Sequence, residues 1–196
     1  MQNRDSINQL FAASGGVLST TQLNNAGYSY YAIKKLLKDG TIERIRHGWY
    51  RHLTLADNEW EEVNALVKDG VFCLHSSAQL HELSTFVSGA YQVAIDWKRR
   101  IRLPAYPPVK LYYWKDEQYT LGISQKIVDG AKLSVYDMEK TVCDFLKARN
   151  KLGLEAVKEV TQHYFDHPEQ DINKLMRYAR KLGIYSVARQ YFELMV

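Results

Sequence analysis

The sequence predicts an α/β (α+β) protein in two parts: a small basic module of short helices closed by a β-hairpin, then a larger mixed α/β domain with a helical C-terminal half. Three observations carry this reading. All of the net positive charge lies in the first 55 residues, where seven basic side chains stand against three acidic ones, while the remainder holds nineteen of each. The elements of that first stretch are short and separated by glycines. Beyond it, β-branched and aromatic runs give way after Tyr136 to helical periodicity.

Asp5 or Ser6 is placed to cap a first helix with Ile7, Leu10 and Phe11 on one side, ending near Ser14-Gly15-Gly16. Val17-Leu18 is short and extended. Ser19 or Thr20 caps a second helix carrying Leu23 and Ala26 and stopping at Gly27, and Ser29 caps a third, Tyr30 to Asp39, with Ile33, Leu36 and Leu37 inward and Gly40 as its stop. Tyr31, Lys34, Lys35 and Lys38 occupy its other side. Ile42 to Arg46, a His47-Gly48 turn and Trp49 to Leu53 then form a hairpin. Two helices around a glycine turn followed by a basic hairpin describe a winged helix-turn-helix.

A helix from Asp57 to about Lys68 opens the second part, ended by Asp69-Gly70. Val71 to Leu74 reads as a buried strand, with Ser76-Ser77 capping a helix through Leu80 and Leu83. Tyr91 to Trp97 and Val109 to Trp114 read as strands, separated by the basic tract Lys98 to Arg102 and a proline break. Asp129-Gly130 signals a hairpin between Ile127-Val128 and Ala131-Lys132-Leu133. Asp137 caps a helix with Val142, Phe145 and Leu146, and further helices run through Leu154 to Tyr164, Ile172 to Leu182 and Val187 to Met195. The division drawn from this is 1–55 for the winged module and 56–196 for the α/β domain.

With 196 residues, 46% hydrophobic and 24% charged, the composition excludes disorder and fibrous repeats. No stretch reaches the roughly 20 apolar residues of a membrane span, and the N-terminus lacks a signal-peptide core, so a cytoplasmic protein without membrane partners is expected. Cys73 and Cys143 are too few for a disulfide framework or a four-thiolate zinc site and read as buried thiols. No G-x-S-x-G elbow, phosphate-cradling glycine loop or metal-holding acid pair is present, so neither an enzyme, a cofactor nor a metal is expected.

The concentrated charge suits a polyanion, and double-stranded DNA is the expected partner. The third helix is expected to put Ser29, Tyr30, Tyr31, Lys34 and Lys35 into the major groove, with Lys38, Arg44, Arg46 and Arg51 at phosphates or the minor groove. Thr20, Thr21, Gln22 and His47 are counted with this set. One winged helix reads a short site, so monomers or weak dimers are expected to assemble cooperatively on repeated half-sites.

Gly16 to Ser29, followed by Ile33, Leu37, Gly40, Ile42, Ile45, Arg46, Gly48 and Tyr50, resembles the N-terminal winged helix of the AbiEi antitoxin family. Phe72 to His81 and Val135 to Asp144 resemble two recurring blocks of that family's C-terminal antitoxin domain. The resemblance implies an antitoxin of a type IV toxin-antitoxin and phage abortive-infection system. It would be encoded beside a nucleotidyltransferase-like toxin, repress their shared promoter and oppose the toxin without a stable complex. A one-component regulator with a small-ligand-binding C-terminal domain is the alternative, and an enzyme that uses the wing only to dock on nucleic acid is a third.

In the second block, Glu139, Lys140 and Asp144 fall early in one helix, where acidic residues favour the helix dipole and Lys140–Asp144 is an i, i+4 ion pair. The resemblance adds them as antitoxic candidates, together with Lys98, Arg100 and Arg102, which alternate onto one side of an extended chain. That tract reads first as a polar strand face or loop, and second as a nucleic-acid patch. His163 and His167 have metal-compatible i, i+4 spacing, but before Pro168 they read as partners of the helix's C-terminal carbonyls.

Overall fold

The computed structural model describes residues 4–54 and 58–193, with the side chains of Arg4 and Asp5 outside that description. The elements are mixed, as the periodicities predict, and the chain divides into two compact units. The first comprises residues 1–68, 101–109 and 127–133; the second comprises 69–100, 110–126 and 134–196.

The first unit begins with α1 (Arg4–Ala12), β1 (Val17–Ser19), α2 (Thr20–Asn25) and α3 (Tyr30–Lys38). The helix already runs at Arg4, so Ser6 lies inside it rather than capping it, and a cap by the Asp5 side chain lies outside the described residues. Ser19 caps α2 in a reciprocal box: Gln22 N donates to Ser19 Oγ at 3.2 Å and Ser19 N donates to Gln22 Oε1 at 2.8 Å. Ser29 caps α3 by accepting from Ala32 N at 3.4 Å. Then come β2 (Ile42–Arg46) and β3 (Trp49–His52), antiparallel to each other, with β1 on the other side of β3 in the order β1-β3-β2. Ile7, Phe11, Leu18, Leu23, Tyr28, Ile33, Ile42 and Tyr50 form one buried cluster. Each large apolar side chain sequestered there contributes about 1.5–3 kcal/mol. The helix α4 (Glu59–Leu66), capped by Asn58, groups with this unit, whereas the sequence division at 55/56 put it in the second; Asp57 lies outside the described residues. Asn58 Nδ2 also donates to the Val128 carbonyl at 3.2 Å.

Next come β4 (Val71–Phe72), α5 (Leu74–Leu80), β5 (Tyr91–Asp96), β6 (Val109–Trp114), α6 (Asp116–Thr120), β7 (Ile123–Val128) and β8 (Ala131–Tyr136), of which residues 109, 127–128 and 131–133 group with the first unit and the rest with the second. The strands make one sheet in the order β6-β5-β4-β8-β7, mixed because β4 is antiparallel to β5 and parallel to β8, with Phe72 opposite Val135. The cap of α5 is Cys73, which makes no side-chain bond, and not the serines. Those are buried inside the helix for another purpose: Ser76 Oγ accepts from Gln92 N at 2.8 Å, and Thr141 Oγ1 donates to Ser77 Oγ at 3.0 Å. The helical half follows as α7 (Met138–Lys147), α8 (Arg149–Leu152), α9 (Leu154–Asp166), α10 (Ile172–Lys181) and α11 (Tyr185–Glu193), Met195 lying outside the described residues. Val142, Phe145, Leu146, Val157, Val160, Tyr164, Leu175 and Ala188 bury together at its centre. Both cysteines are free, buried thiols, and burial pushes both pKa values up. No helix among the described residues is long and apolar enough to cross a membrane.

Candidate functional site

In the first unit, α3 stands with Ile33 buried and Ala32, Leu36 and Leu37 packed against the core, which turns its remaining residues outward. Tyr30 and Tyr31 are 70% and 81% exposed, unusual for aromatic side chains, with ring centroids 5.8 Å apart at 75°. Lys34, Lys35 and Lys38 are exposed on the following turns, and Tyr30, Lys34 and Lys38 share one line at i, i+4, i+8. Among the described residues no carboxylate forms an ion pair with these three lysines. Ser29 is exposed at the helix start. Thr21 and Gln22 are exposed on α2 and Thr20 is half-buried, its backbone N–H bonded to the Gly48 carbonyl at 2.8 Å. The Gln22 amide oxygen already serves the cap of its own helix.

The hairpin residues divide differently. Arg44 is exposed and reaches His47 Nδ1 at 2.7 Å, so these two meet at the turn. Arg46 is half-buried: its guanidinium lies 4.8 Å from the Trp49 ring centroid, Nη1 donates to the Arg102 carbonyl, and burial lowers its pKa. Arg51 is the most engaged of the three arginines. Its Nε donates to Glu43 Oε1 at 2.8 Å and Nη1 to the buried Glu62 at 3.4 Å, with the guanidinium 5.4 Å from the Tyr106 ring centroid. Three of its five N–H groups are thus spent on carboxylates within the fold.

The tract Lys98 to Arg102 is not a strand face. It is irregular chain after β5, and residues 98–100 and 101–102 belong to different units. Lys98, Arg100 and Arg102 are exposed, and Arg100 Nη1 turns back to the carbonyls of Trp97 and Arg99 at 3.0 and 2.9 Å.

In the second unit, Asp137 caps α7, as the sequence predicts, accepting from Lys140 N at 2.8 Å. Glu139, Lys140 and Asp144 are brought together on this helix but are 2%, 0% and 1% exposed. Surface recognition by them is therefore corrected to an internal role. Lys140 Nζ lies 2.6 Å from Asp144 Oδ2, and 4.5 and 4.2 Å from the ring centroids of Trp114 and Tyr136. Burial pushes the Asp144 carboxyl up to about 6, against the opposing pull of Lys140. Glu139 accepts from Tyr164 Oη and Asp171 N, both at 3.3 Å, and pairs with Lys174 at 2.8 Å. It ties α7 to the start of α10. His163 Nδ1 faces the Leu83 carbonyl at 3.1 Å and His167 Nδ1 accepts from Glu169 N at 3.1 Å; it is the His167 backbone N–H, not either ring, that bonds a last carbonyl of the helix, that of Tyr164 at 3.2 Å.

Two cavities lie beside this helix. One, of about 500 Å³, is polar and centres on Asp137, Glu139 and Lys174. The other, of about 650 Å³, is lined by Tyr112, Trp114, Asp144, Lys147, Lys151 and Lys181 among others. The sequence reading did not find it. Its signals were the aromatic run Tyr112-Tyr113-Trp114 ending a strand and the Lys147/Lys151 pair at i, i+4, on segments that join only in the folded chain.

No curated protein matches the chain. The crystal structure of the RV2827C protein from Mycobacterium tuberculosis is similar, with a TM-score of 0.50, 10% identity and coverage of 95% of this chain and 79% of that one, a likeness of fold. Residues 5–51 match the family model described as transcriptional regulator, AbiEi antitoxin. That span runs from α1 to β3 and contains the helix-turn-helix with its exposed tyrosine and lysine face, so the likeness to AbiEi antitoxin transcriptional regulators is one of the N-terminal quarter of the chain.

Proposed function

We propose that this chain is the antitoxin of a type IV, abortive-infection system that binds operator DNA and represses its own operon. The observation that carries the reading is the outward face of α3, where two tyrosines and three lysines stand exposed on a helix pinned by Ser29 and a buried Ile33. Tyr30, Tyr31, Lys34 and Lys35 enter the major groove, while Lys38 and Arg44 address the phosphate backbone. Residues 1–55 act as the DNA-reading part. The rest acts against a nucleotidyltransferase-like toxin without a stable complex, in the cytoplasm and without catalysis of its own.

The test is a promoter reporter and a survival assay run side by side, with the toxin driven from an independent promoter. Alanine at Lys34, Lys35, Lys38 and Arg44 in the full chain should derepress the reporter and leave cells protected. Arg46 and Arg51 are left intact because their changes would disturb packing. Loss of protection equal to loss of repression, in a variant that melts normally, rejects the two-function reading.

A further inference from the structure

The 650 Å³ cavity of the second unit takes no part in the function proposed above. Its volume lies within the range of small-molecule sites, roughly 300–1,000 Å³, and its lining has two distinct halves. One wall is π surface and hydrocarbon, from Tyr112 and Trp114 on β6 with Leu74 and Leu182. The rim carries four ammonium groups, Lys115, Lys147, Lys151 and Lys181. Lys181 reaches Glu117 at 3.4 Å, whereas among the described residues no carboxylate lies in ion-pair range of Lys115, Lys147 or Lys151.

The acidic lining does not cancel this. Asp144, on the floor, is already matched by Lys140 beneath it and by Gln118 Nε2 at 3.2 Å. Glu117 is matched by Lys181, leaving Asp116 as the remaining carboxylate against three lysines. A purely apolar ligand would strip water from those ammonium groups with nothing in return, and a bare anion would leave the aromatic wall wet. An anion that carries a flat ring satisfies both halves at once, since aromatic side chains stack on any base and ammonium groups suit phosphate as point charges.

We propose that this cavity binds a nucleotide, with its base against Tyr112 and Trp114 and its phosphates at Lys147 and Lys151. The binding is independent of whether α3 reads an operator. The experiment is isothermal titration of the full chain with ATP, CTP, adenosine and inorganic pyrophosphate in metal-free buffer. At least one nucleoside triphosphate should bind saturably, with adenosine and pyrophosphate each about tenfold weaker or worse, since each fills one half. Lys147→Ala/Lys151→Ala should weaken the triphosphate by about tenfold or more and leave adenosine unchanged, while Tyr112→Ala weakens adenosine and triphosphate together. Lys34→Ala/Lys35→Ala, on the other unit, should change neither. No saturable heat to about 1 mM, pyrophosphate binding as tightly as ATP, or a triphosphate affinity that follows Lys34 and Lys35 instead, would each overturn the proposal.

Discussion

Lys140 holds both carboxylate oxygens of Asp144, Nζ lying 2.7 Å from Oδ1 and 2.6 Å from Oδ2, with the two side chains 0% and 1% exposed. A buried pair of this kind is costly to break and replaceable as a whole. Lys140→Met should lower the unfolding free energy by about 3–5 kcal/mol, because it strands a buried carboxylate. Lys140→Met with Asp144→Leu should recover most of that loss in chemical denaturation. A double variant no more stable than the single one would mean that the charges do more than balance each other.

Acid should weaken the fold through its histidines. His52, His75 and His81 are all held below the ordinary imidazole value, in each case first by burial, which penalises the cation. His52 Nδ1 also accepts from Thr54 N at 3.3 Å, and the ring of His75 sits 5.0 Å from that of Phe145. Protonation takes place more readily in the unfolded chain, so the stability these groups supply is present above about pH 6.5 and is lost as pH falls through their lowered values. The advantage of the wild type over His75→Phe, followed by urea midpoint from about pH 7.5 to about 5.5, should therefore shrink. An advantage that grows toward acid contradicts the assignment.

Gly122 and Gly130 separate two costs that one glycine usually mixes. Both have positive φ, 73° and 84°, so alanine at either is conformationally strained. A Cβ at Gly122 would also lie 2.7 Å from Lys140 Cβ and 3.0 Å from Asp137 Oδ1, while one at Gly130 meets nothing within 4 Å. Gly130→Ala should cost about 1–2 kcal/mol and Gly122→Ala at least about 1–3 kcal/mol more, read as melting temperature. Equal losses would show that the loop around Gly122 yields.

Salt should report the number of free cations on the DNA-reading face. With Arg46 and Arg51 engaged inside the fold, Lys34, Lys35, Lys38 and Arg44 remain, and four neutralised phosphates give a slope of log K against log salt near about −4 per protomer. Lys35→Ala should bring this to about −3. An unchanged slope removes that helix face from the interface.

Two half-sites should bind better than one. A single α3 of nine residues spans too few base edges to compete with roughly 10⁶–10⁹ other sites, so two protomers on repeated half-sites are needed. Mobility shift should show cooperative binding to the paired site, and equal affinity for single and paired sites would exclude it.

Local chemistry was legible in the sequence wherever one residue decides one junction. Ser19, Ser29 and Asp137 act as caps because a side-chain oxygen before an apolar period has little else to do. Ser76 and Ser77 carry the same signal and mislead, because Gln92 and Thr141 meet them from distant segments. The same limit applies to the sites. The tyrosine and lysine face of α3 follows from one helical period, whereas the burial of Lys140 does not, since lysine is almost never fully buried and nothing local announces Asp144, Trp114 and Tyr136 around it. Arg51 is the converse case: its charge is visible in the sequence, its partner Glu62 only in the fold.

The chain leaves and re-enters each unit repeatedly, residues 101–109 and 127–133 returning to the first after it has handed over to the second. Heredity has to respect that weave. A recombination point near residue 55 would carry off α1 to β3 and strand the returning segment 101–109, whose Arg102 carbonyl and Tyr106 ring meet Arg46 and Arg51. If α3 reads an operator as proposed above, change in operator preference is therefore easier through substitutions on its exposed face, where no such partner is left behind, than through the exchange of whole modules between relatives.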